Sequence, residues 1–212
     1  MNALFVHGMG RTGLSWTATL IRFRSKGIKT FVFNYSATLH DFSTIAARLA
    51  GKLERVSGQG DYVLIGHSLG GVLLRAALHE VPTGSRMPNK VFLLGSPVVA
   101  PRLAQRLGRN PLFRAVTRDC GNLLGSECRM SSVPGTDIPV VAIIGTRGWG
   151  GRVSPFGTEP NDGVVAAGEC RAAWISDEIR VPVVHTLLPS SLYVADLMLE
   201  RILTVSRDSI TM

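Results

Sequence analysis

Gly66-His67-Ser68-Leu69-Gly70-Gly71 is the stretch best suited to covalent chemistry. Its G-x-S-x-G spacing directly follows an apolar run, residues 62–66, and directly precedes a helix-like run, residues 69–79. That is the strand–turn–helix setting of a nucleophile elbow. So sharp a turn strains the serine backbone, and glycine at 66 and 70 lets neighbouring chain approach without side-chain clashes. The start of the following helix then directs its dipole and free N–H groups at the reacting oxygen. Taken alone, the motif also fits a Gly-rich turn whose serine merely caps a helix. Other residues decide between the two.

A serine hydroxyl needs a base to take its proton, and the base needs a third group to orient it. The sequence has five histidines: His7, His40, His67, His79 and His185. His67 adjoins the serine and is expected to point away from it. His79 lies about three helical turns beyond, and His40 precedes Ser68 in the chain. His185 follows the last apolar run and is expected in a loop at the carboxyl edge of a sheet, beside the nucleophile. The orienting acid should lie between residues 145 and 185. Asp162, in a loop closed by Asp162-Gly163, is the best placed; Glu159 and Asp177 compete, and Asp137 precedes its strand. An oxyanion hole needs two convergent backbone N–H groups. Leu69 supplies one, and Met9 after His7-Gly8 the other, with Gly10 as the alternative. His7 itself reads as a hydrogen-bonded structural side chain.

The elements that must position these residues are legible as runs. Residues 3–7, 29–35, 62–67, 91–96, 139–145 and 179–184 are nearly continuous in Val, Ile, Leu and Phe, as strands covered on both faces are. Residues 41–57, 69–79 and 187–203 have helical apolar spacing. The order predicts an α/β fold of about six mostly parallel strands with helices on both faces. Two regions depart from this order: 100–138, helix-like pieces broken by Pro and Gly, and 146–160, an irregular loop with Trp149 and Phe156. Loops of that length are usually functional. The first reads as a small lid-like segment. Together with Trp149 and Phe156 as substrate contacts, it is expected to border an open groove suited to short or medium acyl chains.

With those motifs in order, the sequence resembles the α/β-hydrolase superfamily, and within it the small lipases and esterases without a large cap domain. The resemblance rests on Phe5-Val-His7-Gly8-Met9-Gly10, on residues 66–71, on Leu94-Gly-Ser96-Pro97, on Asn161-Asp162-Gly163-Val164-Val165 and on His185-Thr-Leu-Leu188. It implies a serine hydrolase with Ser68 as nucleophile, Asp162 as acid, His185 as base, and Met9 and Leu69 as oxyanion donors. The sequence starts at the strand carrying His-Gly, without the antiparallel strands that often precede it, so a minimal member is expected.

Composition narrows the remaining possibilities. At 212 residues the sequence suits one domain, 1–212. The charge is +8, from 23 Lys and Arg against 15 Asp and Glu. The basic residues are dispersed, without a nucleic-acid motif, so a small-molecule ester or lipid is the expected partner rather than nucleic acid. Residues 102–118 are the best candidate for contact with the acidic headgroups of a membrane. The N-terminus lacks the features of a signal peptide, which points to a cytoplasmic protein unless a leader has been removed. Cys120, Cys128 and Cys170 are expected as free thiols, with a Cys120–Cys128 pair not required by their spacing. No metal or organic cofactor is expected. The readings are an esterase or lipase, a thioesterase or acyltransferase with the same machinery, and a non-catalytic binding module of the same fold.

Overall fold

Each of the six apolar runs contributes a strand to a single sheet. A computed structural model of the protein describes residues 1–208; the last four residues of the expected 1–212 domain lie outside them. The strands are β1 (Asn2–Val6), β2 (Lys29–Phe33), β3 (Tyr62–His67), β4 (Lys90–Leu94), β5 (Val140–Gly145) and β6 (Asp177–Val181). All neighbours are parallel, in the order β2-β1-β3-β4-β5-β6.

The helices are α1 (Thr17–Arg24), α2 (Phe42–Ser57), α3 (Leu69–Glu80), α4 (Arg102–Leu107), α5 (Pro111–Leu124), α6 (Glu127–Ser131) and α7 (Leu192–Asp208). They form two layers around the sheet. Leu4, Val6, Leu64 and Leu93 face α2 and α3, burying Ile45, Leu49, Leu53, Leu73 and Ala77. Ala3, Phe5, Val63, Ile65, Phe92 and Leu94 face α1 and α7, burying Trp16, Phe23, Met198 and Ile202. Successive strand residues point to opposite faces, and in the inner strands β1, β3, β4 and β5 both faces are dry. That is why these strands read as unbroken apolar runs.

The last strand and helix differ from expectation, each for a local reason. β6 runs Asp177–Val181 rather than 179–184. Pro182 has no N–H to continue the ladder, and the Val183 N–H folds back to the Val181 carbonyl at 2.8 Å. Residues His185–Ser190 form a 3-10 turn around Pro189, so α7 begins at Leu192 rather than 187. Region 100–138 holds α4, α5 and α6, while 146–160 is an irregular loop without helix or strand. Among the described residues no helix is long and apolar enough to cross a membrane.

Candidate active site

Ser68 stands between β3 and α3 with φ 53° and ψ −125°, a conformation L-residues avoid and which persists only where the surroundings enforce it. The enforcement is packing. A Cβ on Gly66 would lie 2.6 Å from the Gly71 backbone. One on Gly70 would lie 2.6 Å from the His7 carbonyl oxygen and would also strike that of Val6. The Ser68 N–H is fixed to the Leu94 carbonyl at 2.9 Å. The serine is half-buried. Leu69 is the first residue of α3, so its N–H has no partner within the helix. The turn carrying Met9 lies alongside: a Cβ on Gly8 would come within 3.2 Å of Ser68 Cβ.

Asp162 and His185 meet at the same edge. His185 Nδ1 bonds Asp162 Oδ2 at 2.6 Å, and the His185 N–H donates to the Asp162 carbonyl at 2.9 Å. The other carboxylate oxygen, Oδ1, accepts from the N–H groups of Val164 at 2.9 Å and Val165 at 2.8 Å. Both side chains are buried, Asp162 to 2% exposure and His185 to 6%. A Cβ on Gly95, at the end of β4, would lie 2.8 Å from Asp162 Oδ2 and 3.0 Å from His185 Nδ1. The pair therefore sits against the strand whose last carbonyl holds Ser68. The competing acids are occupied elsewhere. Glu159 accepts from Arg102 and from the Gly168 N–H, Asp177 pairs with Arg201 at 2.8 Å, and Asp137 lies at the opposite, amino edge before β5.

The His67 ring lies 4.6 Å from that of His185, and its Nε2–H donates to the His185 carbonyl at 3.0 Å. The carbonyl can only accept, so Nε2 carries the proton. Burial, with the neighbouring His185, holds its pKa well below 6.5 and keeps the ring neutral. His7 is structural, as expected. It stacks on Tyr35 at 4.4 Å, Nδ1 bonds the Gly8 carbonyl, and Nε2 accepts from the Tyr35 N–H.

Two further residues escaped the sequence reading. Arg11 donates to the Thr186 carbonyl at 3.1 Å, tying the Met9 turn to the His185 loop. Asn161 donates to the Trp149 and Glu159 carbonyls and accepts from the Gly163 N–H, pinning the Asp162 loop. The signal for Asn161 was its place in an Asn-Asp-Gly turn; nothing local marked Arg11.

The expected substrate rim needs correction. Trp149 is half exposed beside the Asp162 loop, but Phe156 is 2% exposed. Its ring lies 6.3 Å from Trp149 and 5.9 Å from the Arg102 guanidinium. Phe156 is the small core of its own loop and does not border a groove. The three cysteines are free; Cys120 and Cys170 are buried and Cys128 is exposed.

Residues 3–174 match the model of the alpha/beta hydrolase family. The chain belongs to that family. This match spans Ser68 and Asp162. A comparison with curated proteins finds no match. Among solved structures, this alpha/beta hydrolase is similar to the mature form of a Bacillus licheniformis lipase. The TM-score is 0.73 and the identity 19%, covering 96% of this chain and 91% of the other. It is also similar to a thioesterase of the prodiginine pathway of Streptomyces coelicolor, with TM-score 0.63 and 16% identity over 94% and 88% of the two chains. A thermophilic esterase of Thermogutta terrifontis gives 0.60 and 14%, over 97% and 90%. At such identities the likeness concerns the fold.

Proposed function

We propose that the protein is a serine hydrolase of carboxylic esters that works through an acyl-enzyme. The observation carrying this reading is the buried 2.6 Å bond between His185 and Asp162 at the edge where Ser68 is held at positive φ. A carboxylate only accepts, so His185 Nδ1 carries the proton and Nε2 keeps the lone pair a base requires.

In this reading Ser68 Oγ attacks the acyl carbon while its proton passes to His185 Nε2. The carbonyl electron pair moves onto oxygen, and the resulting oxyanion accepts from the Met9 and Leu69 N–H groups. The imidazolium is stabilised by Asp162, whose carboxylate is kept in place by Val164 and Val165. As the tetrahedral intermediate collapses, the bond to the leaving oxygen breaks and Nε2 returns its proton to form the alcohol. Water then attacks the acyl-serine with His185 again as base; the acid leaves and Ser68 regains its proton.

The Streptomyces neighbour favours a second reading, in which the leaving group is a thiolate. A thiol has a pKa of about 8.5 and leaves with little help from an acid. A matched ester and thioester carrying the same acyl group distinguish the two readings. We expect the ester to be turned over with the higher kcat/KM; a thioester preference beyond about tenfold, or no turnover of either, would overturn the reading.

A further inference from the structure

Residues 102–118 carry five arginines and no acidic residue. Arg102 is used internally, pairing with Glu159 and Glu169. Arg106, Arg109, Arg114 and Arg118 are exposed and make no ion pair among the described residues. Fixed cations left unpaired on one short segment form a local positive field.

Two apolar side chains between these arginines are turned outward. Leu112 is 73% exposed and Val116 55%. They lie four residues apart on the first turns of α5, hence on one face, while Thr117 is buried and Phe113 half-buried on the inner side. The loop after β2 adds to this patch. Thr38 Oγ1 donates to the Val116 carbonyl at 2.9 Å, and its neighbour Leu39 is 76% exposed. Hydrogen bonds hold the patch on either side of a kink in α5 at Arg118, whose φ is 46° and ψ −131°. Asn110 Oδ1 caps α5 by accepting from the N–H groups of Leu112 and Phe113, and Asp119 accepts from the Phe42 N–H at 2.9 Å. It also lies at the carboxyl edge of the sheet, because α4 and α5 follow the end of β4 and Leu39 follows the end of β2. Ser68 is on that same edge.

We propose that this segment docks on an anionic phospholipid surface, with Leu39, Leu112 and Val116 entering the headgroup layer and the exposed arginines that flank them reaching lipid phosphates. Apolar insertion and cationic attraction are the two components that hold a helix in a membrane interface. A nucleic acid would use the arginines but has no use for an outward aliphatic cluster; duplexes are held through their phosphates and single strands stack on aromatic platforms, and Phe113 is turned inward. Docking would bring the Ser68 edge to the bilayer, yet it does not depend on the ester reading.

Vesicle flotation tests it. The protein should float with vesicles of phosphatidylcholine and phosphatidylglycerol in equal parts, and much less with phosphatidylcholine alone. Raising salt to about 1 M, where the screening length shrinks to about 3 Å, should release it. Each arginine near the surface is worth about fivefold in partition, so R106E/R109E/R114E should bind at least about 100-fold more weakly. L112D/V116D should lose binding with its arginines intact. Both variants should keep the parent melting temperature; should either unfold, Leu112→Ser and Arg114→Gln give graded losses instead. Ser68→Ala should bind like the parent, which separates this test from any assay of catalysis. Equal binding to both vesicle types, no effect of charge reversal, or tighter binding to duplex DNA than to anionic vesicles would overturn the proposal.

Discussion

The loop that carries Asp162 and the segment that carries α4 and α5 both grow from carboxyl ends of strands, and they are built in opposite ways. Around Asp162 every polar group has a partner: both carboxylate oxygens, its N–H and its carbonyl are bonded. Asn161 and Gly148 brace it from behind, the Gly148 N–H meeting the Asn161 carbonyl at 2.6 Å. Between residues 106 and 118 the four arginines are left without ion pairs, and Leu112 and Val116 face outward. The difference separates two requirements. In the proposed mechanism the acid that orients the base must be fixed from several directions at once, because a displacement of about 1 Å can cost about a hundredfold in rate. A surface that meets a diffuse partner needs charge and apolar area with nothing inside the protein competing for them.

Breaking the first region should have the largest effect. Asp162→Asn preserves shape but removes the charge that, in the proposed mechanism, stabilises the imidazolium and sets its tautomer. Steady-state kinetics should show kcat lower by about 10^3 to 10^4 with KM little changed. A loss below about tenfold would mean that Asp162 does not orient the base.

The contrast can be sharpened by stability. Phe156→Ala empties the small core beneath Arg102 and Trp149 and should cost about 3–5 kcal/mol in denaturant unfolding. Arg114→Ala, exposed and unpaired, should stay within about 0.5 kcal/mol. Similar losses at both sites would erase the distinction.

His67 gives an intermediate effect. His67→Phe keeps a ring against His185 but loses the bond to its carbonyl, so kcat should fall about 10- to 100-fold with KM unchanged. His67→Gln, which retains an N–H donor, should recover part of the rate. A residue that only filled space would favour Phe over Gln. The same side chain leaves a thermodynamic mark. Its depressed pKa means that the unfolded chain takes up a proton below about 6.5 that the native state refuses. Stability is therefore fully present above pH 6.5 and falls as pH drops below it, by about 1.4 kcal/mol per pH unit for one proton. His7, also depressed by burial, acts in the same direction. Melting curves between pH 7 and 5 should show a shallower decline in His67→Phe than in the parent.

These contrasts also explain what the sequence revealed. Strands buried on both faces, such as Tyr62–His67, announce themselves as continuous apolar runs. The elbow is legible because Gly66, Ser68 and Gly70 must stand where they do for backbone to pass. His185 and Asp162 follow from chain order and a turn motif. What failed to show was tertiary. α1 buries only Thr19 and Phe23, too few to mark a periodicity. Phe156 in a Gly-rich loop reads as an exposed aromatic until the loop is seen to fold over it. The direction of the His67 ring depends on His185, 118 residues away.

The proposed mechanism rests on a covalent bond between Ser68 and its substrate. A fluorophosphonate probe reacts with an activated serine by displacement of fluoride at phosphorus, and mass spectrometry of the digested protein locates the adduct. One phosphonyl group is expected on the peptide containing Gly66-His67-Ser68-Leu69-Gly70. The adduct should be absent in Ser68→Ala and formed far more slowly in Asp162→Asn. A native protein that takes up no probe, or carries it on a different residue, would show that Ser68 is not the nucleophile.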